Sequence, residues 1–317
     1  MNTDLYTSSE LRALLEQTIN IHVSPHAEIL NLESFILPAR PSGLEFRHHK
    51  LELKMSNDQT KTIKLVTKHA RLIERKIYDL LARELPQLVP FNHTLDLDSD
   101  TKMWVCMDDL GDETHPNSLA PFEENVFESE ALGLAQIHSR FQGKTLDWLL
   151  PTDHAYFHWF IEKFWRPKWE RAVSNNDFVK EFGDSISRVE TTASSIVREM
   201  TALGAESEFQ TLLHADINPG NEIIRDGRVY FVDWDAARRG SLFLDIPHHF
   251  FTLELGERYR LALAKCGVDI PVSDFAERYR IAAHYIALRY MFWTLEAWEE
   301  DRNMDVWVRH YLDRLLV

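Results

Sequence analysis

Glycine is scarce in this chain of 317 residues: eleven in all, no two closer than the seven positions between Gly220 and Gly227. That spacing excludes a GxGxxG dinucleotide loop and a GxxxxGK P-loop, which need clustered glycines where backbone approaches phosphate. Cysteine is scarcer still. Cys106 and Cys266 form no CxxC pair, which argues against a cysteine-ligated zinc site and a disulfide scaffold and makes a reducing cytoplasm the expected compartment. Basic residues are outnumbered, 35 Lys+Arg against 50 Asp+Glu, for a net charge of −15. Nucleic acid and an anionic membrane surface are therefore poor partners, whereas a cationic small molecule is permitted. Long apolar runs are missing too. The most apolar stretch, 281–295, carries His284 and Arg289 and reads as a buried helix, not a membrane span; the N-terminus shows no basic-then-apolar leader. Nothing in the sequence sets an oligomeric state.

What is present suffices for two cores, with 44% hydrophobic residues. Thr7 and Glu10 make a capping box ahead of Leu11, Leu14, Leu15 and Thr18 at helical spacing. Strands are predicted over 29–37, 51–55 and 63–68, with turns at Pro41-Ser42-Gly43 and Asn57-Asp58; a helix follows from Leu72 and a strand at 104–107. Beyond Asp108-Asp109-Leu110-Gly111 helical periodicities take over, at about 124–142, 154–172, 177–203, 246–266, 273–299 and 303–316. The predicted class is α+β: a β-rich N-terminal region over 1–107, a connection over 108–111 and a helical region over 112–317. One β-rich interruption, 212–234, holds a hairpin turning at Asp226-Gly227. The acidity falls on the helical region.

That interruption holds the densest polar cluster bounded by apolar strand: His214-Ala215-Asp216-Ile217-Asn218-Pro219-Gly220-Asn221, then Asp233-Trp234-Asp235 after the hairpin. Phosphoryl transfer from a nucleotide needs a carboxylate for the attacking hydroxyl and oxygen ligands for Mg²⁺, and Asp216, Asn221 and Asp233 offer that set. A two-residue turn would set Gly220, not Asn221, opposite Asp233. Turn chemistry at Asp and Asn around Pro-Gly is the competing reading. Asp235 either helps at the metal or pairs with Arg238 or Arg239. The pairs His48-His49 and His248-His249 point to opposite faces if extended, and no HExxH is present, so a transition-metal site is not expected.

The string His214-x-Asp216-x4-Asn221, with Pro219-Gly220 and Asp233-Trp234-Asp235, resembles the aminoglycoside phosphotransferase and choline kinase-like family. The resemblance implies a two-lobed protein-kinase-like fold with a β-rich N-terminal lobe and a mainly helical C-terminal lobe. It implies Asp216 as catalytic base or hydroxyl-orienting residue, Asn221 and Asp233 as Mg²⁺ ligands, His214 as a brace and Asp245 as an anchor of the catalytic loop. Lys68 would hold nucleotide phosphates and pair with Glu74; Lys64, on the same strand face, is the alternative. The backbone around Met107, Asp108 and Asp109 would bind adenine, and Ser42 and Gly43 would lie in the phosphate-covering turn. ATP with Mg²⁺ is the implied cofactor pair, with GTP left open.

The acceptor is then a small-molecule hydroxyl. A cationic polyhydroxyl compound such as an aminoglycoside-like antibiotic is expected first, from the family and the acidic helical region; an amino alcohol such as choline or ethanolamine second; a sugar or nucleoside third. A catalytically silent nucleotide-binding regulatory protein is the alternative of another class. The aromatic run Tyr156, Phe157, Trp159, Phe160, Phe164, Trp165, Trp169 reads as core by its spacing, or as a wall for a cation or a ring. The late acidic and aromatic residues Trp293, Glu296, Trp298, Glu299, Glu300 and Asp301 read as a solvated helix end or, by resemblance, as belonging to an acceptor site.

Overall fold

Apolar residues at 51, 53 and 65 fall on one face of two neighbouring strands, and that face is the floor on which the first helix packs. The computed structural model describes residues 9–36, 46–111, 124–298 and 300–315; Thr7 of the capping box lies outside them. Helix α1 (Ser9–His22) buries Leu11, Leu14, Leu15 and Ile19 against Leu51, Leu53, Leu65 and Cys106. The sheet comprises β1 (Glu28–Ile36), β2 (Phe46–Lys54), β3 (Thr60–Ala70), β4 (Asn92–Thr94) and β5 (Met103–Asp108) in the order β1-β2-β3-β5-β4, antiparallel throughout. Helix α2 (Leu72–Glu84) follows β3 directly and turns Glu74, Ile77, Tyr78 and Leu81 inward. The three-residue β4 escapes sequence reading because it is too short for an alternation to register.

Helix α3 (Glu124–Phe141) leads into α4 (His154–Phe160), a π-helical turn Ile161–Trp165 and α5 (Arg166–Val173), then the long α6 (Asn176–Gly204). The sequence reads 154–172 as one regular helix; the widened turn comes just before Pro167, which has no N–H for a regular ladder. Strand β6 (Gln210–Leu213) precedes the hairpin of β7 (Glu222–Arg225) and β8 (Arg228–Phe231), and β9 (Arg238–Ser241) returns to pair with β6. Asp226 (φ 54°) and Gly227 (φ 71°) are both left-handed, as a two-residue hairpin turn demands. Helices α7 (Leu253–Lys265), α8 (Val272–Trp298) and α9 (Asp305–Arg314) complete the chain. Helix α7 starts seven residues later than its periodicity predicts, because Pro247 interrupts the pattern and Thr252 caps the helix by accepting from the Leu255 N–H at 3.2 Å. No helix among the described residues is long and apolar enough to cross a membrane.

Two compact units result: residues up to Ser129 with Pro219–Ala237, and Glu130–Asn218 with the chain from Arg238 onward. The 107/112 division drawn from the sequence leaves the hairpin with the helices; the sheet unit instead takes it in. Polar contacts explain this. Arg225 of the hairpin binds Asp108 at 2.9 Å, the Asp233 N–H donates to the Tyr78 hydroxyl at 3.1 Å, and Asp235 meets Arg71 at 3.4 Å.

Candidate active site

In the sheet unit, a cavity of about 370 Å³ is lined by Phe46, Val66, Lys68, Met107, Asn221 and Asp233 among others. Strand β3 turns Lys68 inward and α2, starting four residues later, brings Glu74 to it. The buried ammonium binds the Glu74 carboxylate and, at 2.8 Å, Asp233 Oδ1. Lys64 is exposed, so the cavity holds Lys68 and not the alternative. Burial alone would lower the Lys68 pKa, but Glu74, Tyr78 and Asp233 outweigh it and hold the amine well above its ordinary value, fully protonated. Burial drives the Glu74 carboxyl the other way, up to about 7 against the opposing pull of Lys68.

Asp233 ends the hairpin in the left-handed region, φ 64°, a conformation that Asp and Asn tolerate better than most residues. Its side chain is 40% exposed. The Val232 N–H donates to the Asn221 carbonyl at 2.9 Å, so the two-residue register holds up to these residues. Asp233 and Asn221 supply hard oxygen donors, the set that suits Mg²⁺. Asp235 does not pair with Arg238 or Arg239 as the sequence suggests; its partner is Arg71.

The connection 108–111 is more committed than its sequence implies. The Asp108 N–H donates to the Phe91 carbonyl at 3.0 Å and the Asp109 N–H to the Lys64 carbonyl at 3.3 Å. Their carboxylates meet Arg225 and His48, respectively. Leu110, next in this connection, also lines the cavity, and its N–H has no partner among the described residues. Ser42 and Gly43 lie outside the described residues.

In the helical unit, Asp216 follows a backbone held from two sides. Asp245 is buried and accepts from the His214 N–H at 2.7 Å, the Ala215 N–H at 2.8 Å and His138 Nε2 at 3.3 Å. Burial raises its pKa, but these donors and the nearby histidines outweigh it and leave the carboxyl below its ordinary value. From α8, Arg289 donates to the Ala215 carbonyl at 2.6 Å and to the Tyr156 hydroxyl at 2.9 Å, while the Tyr290 hydroxyl donates to Asp216 Oδ1 at 3.0 Å. Sequence reasoning assigns no site role to His138, Arg289 or Tyr290 and reads Tyr156 as core or as part of a wall for a cation or a ring; no spacing rule links any of the four to residue 216.

Ala215 itself is left-handed, φ 63°, which costs an L-residue with a Cβ roughly 1–2 kcal/mol. Ala215→Gly is therefore expected to raise unfolding stability by about 1 kcal/mol, measured by urea denaturation; an unchanged or lower midpoint would show that the site carries no such strain.

Residues 63–275 match the model of the phosphotransferase enzyme family (APH). The chain belongs to this family. Comparison with curated protein sequences finds no significant match. Among solved structures it is similar to a spectinomycin phosphotransferase, APH(9)-Ia, with ADP and spectinomycin (TM-score 0.57, 11% identity, covering 96% of this chain and 97% of that one). It is also similar to APH(2")-IIia with GDP and kanamycin (0.54, 14%, 95% and 97%) and to a macrolide 2'-phosphotransferase from Brachybacterium faecium (0.51, 14%, 95% and 98%). At these identities the likeness is one of fold, the two-lobed protein-kinase-like architecture with a β-rich N-terminal and a helical C-terminal lobe. The protein is thus a phosphotransferase of this family.

Proposed function

We propose that the chain transfers the γ-phosphate of ATP to a hydroxyl of a small molecule. The observation that carries this reading is Lys68, buried and charged between Glu74 and Asp233 in a cavity that also holds Asn221 and the 107–111 backbone. In this reading the adenine edge lies along 107–110, with the Leu110 N–H as its donor in place of the engaged amides of Asp108 and Asp109. Lys68 binds phosphate oxygens, and Glu74 keeps its ammonium aimed at them. Asn221 and Asp233 hold Mg²⁺, which when bound neutralises charge on the phosphates.

Asp216 orients the acceptor hydroxyl through its carboxylate and takes up its proton. The acceptor oxygen bonds to phosphorus as the bond to the leaving ADP oxygen breaks. His214 and Asp245 support the backbone on which Asp216 sits. The spectinomycin and kanamycin complexes of the structural neighbours favour a polyhydroxyl acceptor.

The test is thermal unfolding of the full chain with ATP or GTP, each with and without Mg²⁺. Mg·ATP is expected to raise Tm more than ATP alone. In Asp233→Asn, which leaves a left-handed-tolerant residue in place, the Mg²⁺-dependent increment should vanish. If wild-type Tm ignores Mg·ATP, the reading fails.

A further inference from the structure

The charge around Asp216 bears on which hydroxyl compound this site accepts, and the inference rests on the phosphotransfer reading above. The aromatic residues that surround its partners could form a cage for an amine, since ring faces attract cations. Here, however, they already hold cations of the chain itself. Arg238 lies over Tyr156 at 4.3 Å, Arg289 over Phe160 at 5.3 Å and over Tyr290 at 5.4 Å, and Lys168 over Phe292 at 4.7 Å. Glu296, one of the late acidic residues a cationic acceptor would need, is bound to Lys168.

The cations are not balanced residue for residue. Arg289 is 4.0 Å from Asp216, so the one carboxylate in this set that meets the reacting hydroxyl already faces a guanidinium. Arg238 has no carboxylate partner among the described residues; its one hydrogen bond runs from Nη1 to the Pro151 carbonyl at 3.3 Å. Nε and Nη2 remain as a pair of donors, on a guanidinium whose Cζ lies over the ring of Tyr156, whose hydroxyl accepts from Arg289. A guanidinium edge of this kind matches a carboxylate or phosphate bidentately.

We infer that the acceptor is an alcohol carrying an anionic group, carboxylate or phosphate, that Arg238 binds while Asp216 engages the hydroxyl. This differs from the cationic acceptor expected first from the family and the acidic helical region.

The experiment is ADP release by the full chain with Mg·ATP against five acceptor classes: hydroxycarboxylic acids, sugar phosphates, uncharged sugars and nucleosides, amino alcohols, and aminoglycosides. Turnover is expected with one of the two anionic classes, which also separates a carboxylate from a phosphate. Arg238→Gln should then raise the acceptor KM about 10- to 100-fold with the KM for ATP unchanged, and Arg238→Lys should recover some of the loss. Preferential turnover of an uncharged or cationic class overturns the inference but leaves phosphotransfer standing. So does an acceptor KM that ignores Arg238→Gln in a variant of wild-type Tm. Absence of turnover with every class overturns it as well, and absence of any Mg·ATP effect on Tm removes the phosphotransfer reading beneath it.

Discussion

Asn in place of Asp216 is expected to lower kcat for acceptor phosphorylation by about 10²- to 10⁴-fold, the usual worth of a positioned general base. The substitution is nearly isosteric and, besides the base, removes the charge that Arg289 faces at 4.0 Å. An amide oxygen still accepts from Tyr290, Asp245 still accepts from the backbone N–H groups of His214 and Ala215, and Arg289 still donates to the Ala215 carbonyl. Lys68, Asn221 and Asp233 are untouched, so the Tm increment given by Mg·ATP should persist. ADP release with the best acceptor, run beside that binding measurement, separates lost chemistry from lost binding. Full turnover in Asp216→Asn would remove this residue from the reaction.

Lys68→Met should act on both stability and binding. It strands Glu74, whose side chain is 2% exposed, and breaking a buried ion pair from one side costs about 3–5 kcal/mol. The loss should depend on pH. The Glu74 carboxyl is raised from 4.5 to about 7 in the fold, so its contribution to stability is fully present below about pH 4.5 and is lost as pH rises through about 7. Without the opposing charge of Lys68 the rise is larger, and the deficit of Lys68→Met should be greater at pH 8 than at pH 5. Adding Glu74→Gln should recover stability at pH 8 without recovering the effect of Mg·ATP on Tm. Urea midpoints for wild type, Lys68→Met and the double variant at the two pH values provide the check, and a pH-independent deficit would contradict the burial argument.

Which elements of this arrangement are legible in the sequence follows from how each is encoded. The strands β1, β2, β3 and β5 carry apolar patterns that give their approximate place, and the hairpin carries its Asp-Gly turn, but the sheet register is not written in any one strand. Lys68 and Glu74 are legible because one strand end feeds one helix start. Where a partner comes from a distant helix, no local signal exists. Arg289 and Tyr290 sit inside an apolar periodicity more than seventy positions from Asp216, and Arg71 reaches Asp235 across 164. Backbone commitments are hidden as well: nothing in Asp108-Asp109-Leu110 tells which N–H the sheet edge consumes. The acceptor is not legible in the sequence for another reason. Net charge is a sum over the whole helical region, and the cations over Tyr156, Phe160 and Phe292 are a local property that the sum conceals.

Position 233 carries two demands at once. Its backbone is left-handed, which favours Gly, Asn and Asp over residues with a larger side chain, and its side chain presents a carboxylate to Lys68. Only one amino acid meets both. Glu keeps the charge but resists the conformation, while Asn and Gly keep the conformation and lose the charge. Among variants selected for activity, this site should therefore admit no conservative drift at all, whereas Asn221, with no such backbone constraint, leaves Asp open as a substitute oxygen donor.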